Sequence, residues 1–170
     1  MNALAPTAYK TGPAIHTGDY GAVIRRDRAG GIELTNLRWG LRPPTRHGRP
    51  LLYLRSEEPD LAGGRCLLPA SEFFGTHRGW RHRVSRVDGD FFYFAGIWRP
   101  ASNGWPQGYA ILTIPAAPDL ALYMTRQMAI LPRAQRYAWL DPATPAAEAL
   151  RPLPLGTFRV EAAGEPDLFG

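Results

Sequence analysis

The chain has 170 residues, of which 45% are hydrophobic and 21% are charged, and its formal net charge at pH 7 is +5. This composition is typical of a folded globular domain and excludes collagen-like, low-complexity and strongly disordered chains. Lys10 is the only lysine, so arginine carries almost all of the positive charge. An arginine-rich surface favours forked contacts with phosphate groups.

Cysteine usage and hydropathy give no sign of an oxidising compartment or a membrane. Cys66 is the only cysteine, so an intrachain disulfide is impossible, and its apolar surroundings predict a buried, inert thiol. No apolar run is close to the length of about 20 residues that a membrane-spanning helix needs. The N-terminal sequence does not resemble a secretory signal. We therefore expect a cytoplasmic monomer with no membrane contact, cofactor or bound metal, since the four histidines lack metal-ligand spacing.

The elements predicted in chain order are mostly short strands. Strands are predicted at residues 21–26, 32–41, 51–55, 65–69, 71–74, 80–86, 91–98, 108–115, 128–131 and 158–161. Asp88 and Gly89 predict a hairpin turn. One helical turn is predicted at 119–123, a helix at 133–140 with Pro132 in its first position, and a short helix at 145–151 capped by Thr144. Many short strands followed by late helices indicate one α+β domain over residues 1–170, with a curved or barrel-like, mostly antiparallel sheet and a few short helices.

The stretch Leu-Arg-Trp-Gly-Leu-Arg-Pro-Pro closes the second predicted strand. In it, Trp39 offers a flat stacking face, and Gly40 lets a backbone or a ligand approach closely. Arg38 and Arg42 offer forked donors to phosphate, and a double proline beginning at Pro43 stiffens the exit. Such residues suit single-stranded nucleic acid. The alternative is a buried tryptophan at a strand end with solvated arginines beside it.

Several segments together resemble one known family. They are Asn-Ala-Leu-Ala-Pro at 2–6, Arg-Trp-Gly-Leu at 38–41, Arg-Cys-Leu-Leu-Pro-Ala at 65–70, Phe-Ala-Gly-Ile-Trp at 94–98, and two strands at 109–113 and 126–132. In this order they are similar to the SOS-response-associated peptidase family, whose members sense abasic sites in single-stranded DNA. The resemblance covers nearly the whole chain, and it implies the fold of that family and a role in the response to DNA damage.

The residues that carry out the chemistry of that family do not match. In the family a cysteine after the initiator methionine, an asparagine, a glutamate and a histidine capture the aldehyde of an abasic site. The corresponding positions here are occupied by Asn2, Tyr53, Gly75 and Met124. Tyrosine, glycine and methionine cannot replace a carboxylate and an imidazole in proton transfer. We therefore assign no catalytic residue and expect neither covalent crosslinking nor autoproteolysis, so that enzymatic activity remains an open question.

Two arginines of the family motifs are retained, Arg55 and Arg126, and the resemblance implies that they face the DNA backbone. The predicted nucleic-acid site comprises Arg38, Trp39, Gly40, Arg42, Pro43, Arg55 and Arg126. The alternative is that Arg55 and Arg126 only hold the fold by pairing with carboxylates such as Glu57, Glu58 or Glu72.

Three further interpretations stay open. A second basic and aromatic cluster extends a single-strand groove or is a solvated hairpin; its members are Arg78, Trp80, Arg81, His82, Arg83 and Arg86. A pseudoenzyme acting as a protein-interaction module would have an apolar pocket at Tyr53, Gly75 and Met124, with Trp80 or Trp105 exposed. Finally, the sequence could lack an N-terminal segment that carries the cysteine of an active, crosslinking protein.

Overall fold

The computed structural model describes residues 14–58 and 60–163, so the position of Asn2 lies outside the described residues. Within these ranges the strands are β1 Tyr20–Arg26, β2 Ile32–Trp39, β3 Tyr53–Arg55, β4 Arg65–Ala70, β5 Glu72–His77, β6 Trp80–Arg86, β7 Phe92–Arg99, β8 Gly108–Pro115, β9 Arg126–Met128 and β10 Phe158–Ala162. A 3-10 turn at Arg133–Gln135 leads into helix α1, Arg136–Leu140, and helix α2 spans Ala146–Ala149.

The larger sheet closes on itself. Its strand order is β2-β1-β4-β7-β8, and β2 also pairs with β8, so these five strands form a barrel. Strands β3 and β9 extend the sheet from β8, and a second sheet has the order β10-β6-β5. All pairings are antiparallel except β2 with β8 and β3 with β8. The predicted α+β fold with a barrel-like, mostly antiparallel sheet and a few short helices is confirmed.

Two glycines allow the barrel to close. Gly40 has φ +131°, a backbone conformation that residues with side chains rarely adopt, and its N–H donates to the carbonyl of Tyr109 at 2.8 Å. A Cβ on Gly108 would lie 2.5 Å from the carbonyl oxygen of Gly40. The two backbones therefore approach each other at a distance that only glycine permits.

The core divides between the two faces of the barrel sheet. On β8, Tyr109 and Ile111 belong to a cluster that also contains Phe73 and Val84 of the smaller sheet. The alternate residues of β8, such as Leu112, belong to a second cluster beneath helices α1 and α2. Because successive side chains on a strand point to opposite faces, covering both faces makes the central strands almost continuously apolar.

Several predicted details are corrected. The turn after β6 is not a hairpin turn, because β6 pairs with β5 and β10 while β7 lies in the barrel. Pro145, not Thr144, is the N-cap of α2, and no side chain bonds to that helix end. The strand predicted at 128–131 begins two residues earlier, at Arg126.

A buried arginine joins the helices to the barrel. Arg65 is only 7% exposed, and its guanidinium donates hydrogen bonds to the carbonyls of Leu61 at 2.7 Å, Trp139 at 3.3 Å, Asp141 at 2.9 Å and Thr144 at 2.7 Å. Its Cζ lies 4.4 Å from the ring centroid of Trp139. Burial lowers the pKa of Arg65. These bonds tie the segment containing α1, and the loop after it, to the start of β4.

Replacing Arg65 with leucine is expected to lower the free energy of unfolding by about 3 kcal/mol or more. Several inward-facing carbonyls would lose their donor, and each such loss costs about 1–3 kcal/mol. The stability of Arg65→Lys should lie between those of the wild type and Arg65→Leu, because an ammonium group cannot reproduce the forked donors of a guanidinium. Urea unfolding measures the free energy of unfolding of the wild type and of both variants. Exposed Arg133→Ala is the control, and its loss of stability should be about 0.5 kcal/mol or less. Equal losses in Arg65→Leu and Arg133→Ala would contradict this role.

A charged pair secures the turn that leaves β6. Arg86 donates to both carboxylate oxygens of Asp88, at 3.0 and 2.7 Å, and the N–H of Asp90 donates to the same group at 2.9 Å. These bonds, that from Arg86 most of all, lower the pKa of Asp88 to about 2 from 3.8. The lowered pKa means that the folded state favours the ionised carboxylate.

The contribution of Asp88 to stability is expected to be complete above about pH 4 and to disappear as the pH falls towards 2. The sign follows because the unfolded chain takes up the proton first on acidification. Thermal unfolding of the wild type and of Asp88→Asn across this range measures it. The difference in Tm between the two proteins should shrink on acidification, and a constant difference would be inconsistent with the pairing.

Candidate nucleic-acid interface

The pairing of β8 brings three predicted site residues onto one face. Residues that are paired across a ladder point to the same side of a sheet, and alternate residues of a strand share a side. Trp39, Tyr53 and Arg55 are paired with alternate residues of β8. The pairs are Trp39 with Tyr109, Tyr53 with Ile111 and Arg55 with Thr113. The three side chains therefore follow one another along the face that also carries the first core cluster.

Arg126 reaches the same place from the other side of β8. Its Nε donates to Oγ1 of Thr113 at 3.0 Å, and its Nη2 donates to the carbonyl of Thr113 at 2.8 Å. It also forms an ion pair with Glu57 at 2.9 Å, and the hydrogen bond from Arg126 is the main cause of the lowered pKa of Glu57. The alternative of a carboxylate partner is thus confirmed for Arg126.

Arg55 is the exposed cation of this face. Within residues 14–58 and 60–163 its side chain makes no ion pair or hydrogen bond, although its charge contributes to lowering the pKa of Glu57. Exposure on an edge strand leaves its forked donors accessible to solvent or to an anion. Arg55 therefore forms no direct salt bridge with a carboxylate of the described residues, although its charge acts on Glu57.

Tyr53 is the accessible ring beside Arg55, and Trp39 supports it. The ring centroids of Trp39 and Tyr53 lie 5.8 Å apart in an edge-to-face arrangement at 86°. The indole N–H of Trp39 donates to the carbonyl of Leu52 at 3.1 Å, which fixes the ring. Tyr53 is 44% exposed, and its partial burial raises the pKa of the phenol.

The positions that would hold a glutamate and a histidine in the family are in direct contact here. A Cβ on Gly75 would lie 2.9 Å from Cε of Met124, so the methionine fills the space beside the glycine. Neither residue offers a proton donor or acceptor of useful pKa. Cys66 is fully buried, and burial raises the pKa of its thiol, which leaves it unreactive.

The other predicted site residues lie elsewhere. Arg38 pairs with Gly108 and therefore points to the opposite face, where its Cζ lies 5.1 Å from the ring centroid of Trp105. Arg42 lines a groove of about 470 Å³ together with Trp105 and with Leu54, the residue of β3 that faces away from Tyr53. Gly40 and Pro43 are buried, and Gly40 serves the closure of the barrel.

Sequence reasoning missed Thr113, which positions Arg126. The available signal was the single polar side chain in the apolar strand β8, Gly-Tyr-Ala-Ile-Leu-Thr-Ile-Pro. Within the described ranges, no group of three or more histidine, cysteine, aspartate or glutamate residues is arranged to hold a metal ion. None of the helices described is long and apolar enough to cross a membrane.

Comparison with known proteins identifies the fold. The family model described as SOS response associated peptidase (SRAP) matches residues 6–162. A crystal structure of a protein from Bordetella bronchiseptica matches with 25% identity and a TM-score of 0.73, over 88% of this chain and 86% of that chain. No curated protein matches the sequence.

Two more distant structures show the same fold. A phage-related protein from Bordetella bronchiseptica matches with 23% identity and a TM-score of 0.69, over 90% of this chain and 86% of that one. A protein from Bacteroides thetaiotaomicron matches with 21% identity and a TM-score of 0.68, over 86% of this chain and 74% of that one.

Proposed function

This chain belongs to the SOS response associated peptidase family, and we propose that it binds single-stranded DNA in the DNA-damage response, as a cytoplasmic monomer, without capturing it covalently. The observation that carries the proposal is the exposed guanidinium of Arg55, which forms no salt bridge within the described residues, next to the exposed ring of Tyr53 on one face of the sheet. A cation that binds the phosphate and a ring that stacks on a base are the two parts of a single-strand contact.

The residues of this face have distinct roles in the proposed contact. The guanidinium of Arg55 donates its fork to a phosphate, and Tyr53 stacks on the adjoining base. Trp39 holds the tyrosine ring from behind through its edge-to-face contact. Arg126 lends positive charge at short range, although Glu57 neutralises part of it.

Noncovalent binding is supported by the groups present at the site. The contact between Gly75 and Met124 leaves an apolar surface where acid–base chemistry would need a carboxylate and an imidazole. The thiol of Cys66 is enclosed in the core. The alternative of a protein-interaction module is less well supported, because Arg55 is exposed and forms no salt bridge within the described residues.

Purified protein is expected to bind single-stranded DNA reversibly, with an affinity that falls steeply as salt is raised. For single strands the slope of log affinity against log salt is about −0.7 per phosphate contact. Fluorescence anisotropy with oligonucleotides that contain or lack an abasic site measures binding, and a denaturing gel of the same samples measures covalent capture. No gel-stable adduct should form. An adduct would overturn the noncovalent part, and no binding at low salt would overturn the whole proposal.

Arg55→Ala is expected to weaken binding about tenfold at low salt, because it removes a charge-assisted phosphate contact, and to reduce the salt slope by about 0.7. Arg126→Ala should weaken binding less, since Glu57 already offsets its charge. Both should retain a cooperative thermal transition.

The matched control is Arg28→Ala. Arg28 is also exposed, but it lies in the turn between β1 and β2, at the far end of β2 from Trp39. This substitution removes the same charge about 25 Å from Trp39 along β2, so its effect on binding should be small. Equal affinities for Arg55→Ala and Arg28→Ala would refute the assignment of the site.

A further inference from the structure

The hairpin of β5 and β6 ends in a strained arginine. Its two-residue turn consists of Arg78, with φ +51°, and Gly79, with φ +79°. Turns of this kind favour asparagine, aspartate or glycine, because a side chain at positive φ is strained. An arginine at this position costs stability, which points to a use for its charge.

The inner face of the hairpin leads from the core to this tip. Phe73 and Val84 are paired and buried in the first core cluster. The next pair on the same face is Gly75 with His82, and the pair after it is His77 with Trp80. At about 3.3 Å per residue, this face extends roughly 7 Å beyond Gly75 to reach Trp80.

The same face contacts the segment of the chain that immediately precedes Arg126. Gly75 contacts Met124, and the ring of His82 lies 5.0 Å from the ring of Tyr123, edge to face. Trp80 follows and is 50% exposed. A row of rings therefore continues from the apolar contact at Gly75 to the tip of the hairpin.

The charges of the hairpin are compensated unevenly. Arg83 pairs with Glu161 at 2.6 Å, and Arg86 pairs with Asp88 at 2.7 Å. Arg81 points to the outer face, since it pairs with Thr76, and its Cζ lies 4.0 Å from the ring centroid of Phe74. Arg78 is exposed and has no partner within the part of the chain that the structure describes.

We propose that the inner face of this hairpin is a second contact for single-stranded DNA, in which Trp80 stacks on a base and Arg78 binds a neighbouring phosphate. The inference rests on the proposed function and extends it. A strand bound at Tyr53 and Arg55 continues past Met124 and along the hairpin. Tight binding therefore requires a strand long enough to reach the tip. Single-stranded DNA suits this surface because a forked, uncompensated cation stands beside an accessible ring.

The test measures affinity against strand length. Oligothymidylates from about 4 to 16 nucleotides, the range covered by single-strand sites of small domains, are titrated against wild type, Trp80→Ala, Arg78→Gly, Arg55→Ala and the control Arg28→Ala. In the wild type, affinity should rise in two steps as the strand first fills the Arg55 contact and then reaches the hairpin. Trp80→Ala should weaken binding of the longest strand about tenfold and leave the shortest unchanged.

Arg78→Gly separates binding from stability. Glycine relieves the strain at positive φ, so Tm should rise by about 2–4 °C, while binding of long strands weakens and binding of short strands does not. If both hairpin variants match Arg28→Ala at every length while Arg55→Ala still loses affinity, the hairpin contact is overturned and the proposed function stands. If the wild type binds no strand of any length, both are overturned.

Discussion

The structure depends on the close approach of β2 and β8. Gly40 and Gly108 let the two backbones come together, and the hydrogen bond from Gly40 to Tyr109 closes a five-stranded ring. A side chain at Gly108 would collide with the carbonyl of Gly40. Because β3 pairs with β8 just beyond this closure, the same contact sets Trp39 in register behind Tyr53.

Strand β8 then distributes the remaining parts of the molecule. One of its faces carries the first core cluster, and at its end Thr113 orients Arg126 beside Arg55. Its other face lies beneath the helices, whose segment is held to the barrel by the buried guanidinium of Arg65. A single strand thus contributes to the core, the packing of the helices and the interface, and its pairing sets the relative positions of these three parts.

Hydrogen bonds and ion pairs identify the structural arginines of the described residues. Arg65, Arg86 and Arg126 have carbonyl or carboxylate acceptors, and these bonds hold segments of the chain together. Arg55 and Arg78 have no such acceptors in the described ranges, and in the proposed contacts their donors bind phosphate groups. The net charge of +5 cannot make this distinction. It raises the local concentration of a polyanion around the whole protein, whereas specific contacts need accessible forks.

The fold class and the positions of most strands follow from the amino-acid sequence, because alternation and β-branched or aromatic runs are local properties. The order of its motifs also indicated the family, and the resemblance predicts that Tyr53, Gly75 and Met124 stand in place of proton-transfer groups. Chain order did not determine every strand partner, since β6 and β7 follow each other in the chain yet belong to different sheets. Which arginines form ion pairs depends on the tertiary fold, because Glu57 and Arg126 are distant in sequence and meet through the pairing of β3 and β9 with β8.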